Sequence, residues 1–283
     1  VQSAITPPAL ITGPPVGEWR EQWLTTYNET KLFTHILVAI DGKDAGWVAL
    51  QQAMDIGQKE QSKIFGLHVL QDIKKSDSEP AQKIKAQFDH LCQEKKVWGE
   101  LTFASGPTTE TIIYRARWAD LAVISLSHPP GPKPVDRLSS KFAQLLRSCP
   151  CPMLAVPNRA AAISRLLLAY DGSPKANEAL FIARYMLEKW QTALTVLSVK
   201  EKKDGGKKSM ARARHYLEGH NLNAQYVTAK GKAAEVIVQT ARDMSCNLIL
   251  MGGYGGNPLS EIVTGSVVNE VLRSRKRPVL VCR

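Results

Sequence analysis

The feature that most constrains this chain is that it is written twice. HILVAIDGKDAGWVALQQAMDIG from His35 and RLLLAYDGSPKANEALFIARYML from Arg165 share one plan: a short apolar run ending in Asp-Gly, then apolar residues at helical spacing. The later parts correspond as well. ADLAVIS (Ala119 to Ser125) answers CNLILMG (Cys246 to Gly252), and CPCPMLAVP from Cys149 answers RKRPVLVCR from Arg275. An internal duplication accounts for all of these matches.

Within each copy, short apolar β-rich runs alternate with longer helical patterns. The first copy is expected to carry strands near 35–40, 64–70, 97–103, 120–125 and 152–156, with helices near 44–59, 80–95, 108–118 and 137–147. The second should carry strands near 165–170, 193–199, 223–228, 247–251 and 278–282, with helices near 175–189, 207–219, 232–243 and 262–273. Runs this continuously apolar are buried on both faces, as in parallel sheets covered by helices. The right-handed crossover rule then gives an α/β fold with a doubly wound, open, five-stranded parallel sheet per copy. In that architecture a ligand sits beyond the carboxyl ends of the strands, where the strand order reverses. The fifth strands, PMLAVP and PVLVCR, read as sheet edges, and exposed edges invite pairing.

Boundaries follow from composition. Residues 1–31 hold Pro7, Pro8, Pro14 and Pro15 and then EWREQWLTTYNETK, read as an extended arm and a short amphipathic helix docking through Trp19 and Trp23. The two domains are expected at 32–157 and 158–283, with PNRAAAIS at 157–164 as the linker between them. The chain starts without Met, basic leader or signal-like apolar core, which reads as an excised start with room for a larger parent protein.

The charge is lopsided: of a net +11, the residues to Arg159 carry +2 (18 basic, 16 acidic) and the remainder +9 (19 basic, 10 acidic). Anionic partners suit such a balance, but solvated helix faces explain it without nucleic acid, which is not expected as a partner. Five scattered cysteines, Cys92, Cys149, Cys151, Cys246 and Cys282, fit buried thiols in a reducing, cytoplasmic compartment better than a disulfide framework. No apolar run reaches the roughly 18 residues of a membrane span, so membrane association is expected only through a larger parent.

The motif with most chemistry in it is LILMGGYGGNPLSEIVTGSVVNEVL, Leu248 to Leu272. Gly252 and Gly255 fall where the fourth strand ends, and Gly265-Ser266 opens the following helix. Bare amides and a positive helix end directed into one crevice make an anion cradle, and a Ser266 hydroxyl can cap the helix or donate to a phosphate. AYDGS, Ala169 to Ser173, ends the first strand of the same copy. A carboxylate there can accept a ribose hydroxyl or base amino group, although Asp171-Gly172 also suits a turn and helix cap.

These residues resemble the universal stress protein family in its tandem form, from about Phe33 onward. MGGYGGNPLSEIVTGS follows that family's phosphate pattern of glycine, two residues, glycine, nine residues, glycine plus Ser or Thr. The resemblance implies two Rossmann-like domains of the adenine nucleotide alpha hydrolase-like kind and a stress-response regulatory protein. It implies ATP, or AMP or ADP, as ligand, with Mg2+ as an accompanying ion. Ala169, Tyr170 and Asp171 would line the adenosine and Val199 would touch the base. Gly252, Gly255, Gly265, Ser266 and Val267 would hold the phosphates, with Met251 beside them. Relatives pair through their fifth strands, so the two copies are expected to pair within the chain, and homodimerisation is left open.

The first copy departs from the pattern. Asp41-Gly42 and Val69 remain, but Ser125 and His128 stand at the first two glycines and Ser139-Ser140 replace the Gly-Ser pair. SLSHPPGPKP adds four prolines, which remove amide donors, so no ATP cradle is expected there. No Walker lysine motif, metal-spaced histidines or nucleophile elbow occurs, and the expectation is at most slow ATP hydrolysis. Two alternatives stand beside nucleotide-dependent regulation: a slow ATP hydrolase, and a ligand-independent interaction or cytosolic regulatory module of a larger protein, a membrane transporter being one option. For the latter the basic run KEKKDGGKKSMARARHYLEGH, Lys200 to His220, is the most suggestive surface.

Overall fold

A computed structural model of the chain describes residues 31–127, 129, 131, 140–200, 206–254 and 267–283. The amino-terminal arm, with Trp19 and Trp23, lies outside the described residues, as do the expected starts of the helices at 137 and 262. The first half runs β1 (His35–Ala39), α1 (Asp44–Glu60), β2 (Lys63–Leu70), α2 (Glu79–Lys95), β3 (Gly99–Ser105), α3 (Thr108–Arg115), β4 (Leu121–Ser125), α4 (Lys141–Ser148) and β5 (Met153–Val156). The second runs β6 (Arg165–Ala169), α5 (Pro174–Lys189), β7 (Ala193–Lys200), α6 (Gly206–Gly219), β8 (Gln225–Lys230), α7 (Ala233–Asp243), β9 (Leu248–Gly252), α8 (Val267–Arg273) and β10 (Val279–Cys282).

Two details differ from the sequence expectation, each for a physical reason. β3 and β8 begin two residues later than their apolar runs, because the preceding residues close the helices before them. Lys96 and Asn221 are left-handed (φ 54° and 57°), and Val97 N–H and Leu222 N–H donate back to Cys92 and Leu217 carbonyls at 3.0 Å. This 6→1 return is a helix-ending motif that takes Val97, the first residue of one run, and Leu222, just ahead of the other. The helix expected at 108–118 also changes character: α3 ends at Arg115 and a 3-10 turn, Ala116–Trp118, finishes it.

All ten strands form one sheet in the order β3-β2-β1-β4-β5-β10-β9-β6-β7-β8. Every pairing is parallel except the central one, where β5 and β10 run antiparallel with Val279 opposite Ala155, Leu280 opposite Leu154 and Val281 opposite Met153. The fifth strands therefore supply each other's missing neighbour. Their eight residues are all buried, whereas β3 and β8, the outer strands, are mostly exposed or half-buried. All five cysteines are buried free thiols.

A buried carboxylate reinforces the seam. Glu60, 2% exposed at the end of α1, accepts from Tyr185 Oη at 2.9 Å and from Trp190 Nε1, both of the second half. It also accepts from the amides of Leu32 and Phe33 at 3.0 and 3.3 Å. The burial and this carboxylate push the Tyr185 phenol well above its ordinary range. Gln52, 1% exposed, holds the linker through Ala161, donating to its carbonyl at 3.1 Å and accepting from its amide at 2.8 Å.

Glu60→Ala strands these donors in a dry seam and is expected to lower stability by about 3 kcal/mol, against about 1 kcal/mol for Tyr185→Phe, in urea unfolding. Burial, then the charge of Asp89, pushes Cys92 up to about 11, and burial also raises Cys246 and Cys282. The unfolded chain loses thiol protons first, so stability should fall as pH rises from about 9 to 11, and Cys92→Ala should flatten that slope in pH-dependent unfolding.

Candidate functional site

In each half the first and fourth strands are neighbours and the strand order reverses between them, which opens a crevice at their carboxyl ends. In the second half Ala169 is the register partner of Met251 on one side and of Leu197 on the other. Asp171 and Val199, each two residues further, and Gly252, one residue past Met251, therefore end close together around the crevice. Ala169, Val199, Gly252 and Val267 are half-buried, Met251 is buried and Asp171 is exposed. Gly255, Gly265 and Ser266 lie outside the described residues.

The turn after β6 is built by its own polar atoms. Asp171 Oδ1 accepts from Ser173 N–H at 2.8 Å, Gly172 takes φ +83°, and Ser173 Oγ accepts from Ala176 N–H at 3.2 Å to cap α5. Tyr170 sends its side chain inward. Its ring is 2% exposed and its hydroxyl donates to Asn177 Oδ1 at 2.7 Å, so what it can offer a ligand is main chain. Burial raises its phenol, against the opposing charge of Arg212. Arg212 Nη1 also donates to Gly172 O at 3.2 Å, which brings a cation of the basic run beside the Asp-Gly turn.

The glycine run starts under tight contact. A Cβ on Gly252 would stand 2.8 Å from Ala176 N and 2.9 Å from the Lys175 carbonyl carbon, so the end of β9 touches the first turn of α5. A Cβ on Gly253 would meet Cys282 O at 2.8 Å, and the Gly253 amide donates to that same oxygen at 2.7 Å. Tyr254 follows. Its carbonyl accepts from Lys175 Nζ and its hydroxyl donates to the buried Asn269 of α8. Arg147 of α4, in the first half, lies 5.2 Å from the centre of the Tyr254 ring. A matching contact crosses the other way, Arg275 Nη2 donating to Ser127 O at 2.8 Å.

Lys175, Arg212, Tyr254, Asn269 and Arg147 were not singled out from sequence. Lys175 adjoins the Asp-Gly motif, Tyr254 and Asn269 lie within the glycine motif and Arg212 within the basic run, and that placement is the signal the sequence offers for them. Arg147 comes across the seam, and no local pattern could have marked it.

In the first half Asp41 Oδ1 likewise accepts from Lys43 N–H at 3.0 Å and Gly42 takes φ +76°. Ser125 Oγ lies 3.2 Å from Ser127 Oγ, and Ser140 Oγ accepts from Ala143 N–H at 3.2 Å as the cap of α4. His128 and Ser139 lie outside the described residues. Among the described residues no group of three or more His, Cys, Asp or Glu could hold a metal ion, and no helix is long and apolar enough to cross a membrane.

Comparison with known proteins gives a consistent picture. The model of the universal stress protein family matches residues 32–157 and again 162–283. Universal stress protein Slr1230 of Synechocystis sp. is 28% identical over 148 residues, 52% of this chain and 52% of that protein, so the chain spans about half of that relative's length. Universal stress protein YxiE of Bacillus subtilis is 25% identical over 146 residues, 42% of this chain and 99% of that protein. Among solved structures, a universal stress protein from Archaeoglobus fulgidus superposes with a TM-score of 0.74 at 19% identity, over 90% of this chain and 97% of that one. The functionally unknown protein PA1789 of Pseudomonas aeruginosa gives 0.66 at 20% identity, over 90% and 94%.

Gly252→Ala forces its methyl into the start of α5 and should destabilise the protein by about 1–3 kcal/mol. Gly219→Ala, with nothing within 4 Å of the added carbon, should be neutral or stabilise by up to about 1 kcal/mol; thermal unfolding of the two variants checks the contrast.

Proposed function

The chain belongs to the universal stress protein family, and on that premise we propose that its second half binds an adenine nucleotide and acts as a stress-response regulator. The observation that carries this reading is the side-chain-free end of β9. Gly252 sits against the first turn of α5 with no room for a Cβ, and two basic side chains, Lys175 and Arg212, stand at the turns on either side. A strand end brought this close to a helix amino-terminus, with fixed cations beside it, suits phosphate.

In this reading Asp171 accepts from the ribose or base while its other oxygen keeps the turn, the main chain of Ala169 and Tyr170 flanks the adenosine, and Val199 packs on the base. Gly252, Gly255, Gly265, Ser266 and Val267 hold the phosphates, with Met251 buried behind them. ATP, ADP and AMP share this chemistry. A Mg2+ ion would be held chiefly by the phosphates, since among the described residues no group of three or more His, Cys, Asp or Glu could hold it. The first half serves as intramolecular partner, and the contact of Arg147 with Tyr254 gives ligand occupancy a route into it. Such a ligand regulates by binding one arrangement of the seam better than another.

Isothermal titration of the full chain with ATP, ADP and AMP tests the reading. Saturable binding of one nucleotide per chain is expected, with a loss of at least about tenfold in Gly265→Val, or about 1.4 kcal/mol. At a hundredfold excess over Kd the nucleotide should add about 2.7 kcal/mol of stability. Undiminished affinity in Gly265→Val would refute the assignment, and nucleoside diphosphate accumulating well beyond one equivalent would favour the hydrolase.

A further inference from the structure

The two halves do not close alike at the amino-terminal ends of their strands, opposite the crevice. Ile112 and Ala116 are buried where Ile237 and Ala241 are buried in the second half. From Ala116 the chain reaches β4 at Leu121 in five residues, whereas from Ala241 it reaches β9 at Leu248 in seven. In the second half the longer connection is used for filling: Arg165 Nε donates to Met244 O at 3.2 Å, and the Cys246 thiol donates to the same carbonyl at 3.8 Å. In the first half His35 and Phe65 occupy the positions of Arg165 and Thr195, and the shorter connection leaves a cavity of about 460 Å³.

This cavity has the make-up of a small-molecule site. Leu37, Phe65 and Leu67 line it with Thr102, Trp118 and Arg115, and no acidic residue takes part. Volumes of roughly 300–1,000 Å³ with apolar walls and a few polar groups are usual for ligands. The aromatic groups around it are also left bare: Trp118 is 59% exposed, with Tyr114 stacked edge-on at 5.0 Å, and Trp98, 51% exposed, lies 5.5 Å from Phe65. Exposed aromatic surface of this extent marks a place where something apolar is received. Arg115 makes no ion pair among the described residues and is the permanent charge in the lining. His35 is committed elsewhere, its Nδ1 lying 3.1 Å from Thr34 Oγ1 and 3.7 Å from the buried Asp120.

We propose that this cavity binds a small apolar carboxylic acid, its hydrocarbon body against Phe65, Leu67 and Trp118 and its carboxylate on the Arg115 guanidinium. A planar guanidinium matches a carboxylate through two parallel hydrogen bonds, which a neutral ligand cannot use. The site rests on no part of the nucleotide reading, because it lies at the other end of the strands and in the other half.

The full chain is titrated calorimetrically with 1-naphthoate and with the neutral 1-naphthalenemethanol, while tryptophan fluorescence is followed. One naphthoate per chain should bind saturably and quench fluorescence, and Trp118→Phe should remove most of that quenching. Arg115→Gln, an exposed change on α3, should weaken naphthoate about tenfold and leave the alcohol within about twofold. Thr102→Phe fills the cavity and should weaken both ligands more than tenfold. Absence of saturable binding, or affinities in Thr102→Phe equal to those of the unaltered chain, would overturn the site. Parallel losses of acid and alcohol in Arg115→Gln would overturn the carboxylate assignment.

Discussion

The pairing of β5 with β10 is the constraint on which the rest of the structure depends. A parallel sheet wound from one centre ends in a strand with a neighbour on one side only, and here that strand is apolar on both faces and four residues long. Left alone it would expose a row of amides and carbonyls beside a hydrophobic surface. Duplication supplies the remedy within one molecule, because two such strands meeting antiparallel satisfy each other and join two open sheets into one. The linker held by Gln52, the donors gathered on Glu60 and the reciprocal contacts of Arg147 and Arg275 all lie along this line.

The seam also makes the halves unequal neighbours. Tyr254, at the start of the glycine run, is gripped by α4 of the first half, while the first half's own counterpart, Ser127, offers only a carbonyl to Arg275. The copy that lacks the glycine pattern thus buttresses the copy that has it. The two copies differ at fixed architecture: the second half has the side-chain-free strand end, and the first has the shorter connection beside a cavity.

Most of the architecture was legible because its signals are local. Apolar runs of four to eight residues alternating with helical periodicity, punctuated by Asp-Gly, gave the elements, and the repeated pattern gave two copies of them. The misplaced starts of β3 and β8 arise where an apolar residue serves a helix-ending return, which the same composition cannot distinguish from a strand residue. At the candidate site, Asp171 and Gly252 were marked by spacing. The inward turn of Tyr170 was not, since an aromatic residue next to Asp-Gly reads equally well as a ligand wall or as core. Arg147 and Glu60 were invisible for a plainer reason, as their partners lie 107 and 125 positions away and are brought near only by the two-fold arrangement of the halves.

The carboxylate of Glu60 has a mechanical meaning as well. It binds the chain just ahead of β1, at Leu32 and Phe33, and in the same grasp holds Tyr185 and Trp190 of the other half. Tension drawn through Leu32 and Phe33 toward β1 would therefore load this knot in shear before it reached that strand. A pull along this segment would thus be felt at the junction of the two halves as well as in the first half's own sheet.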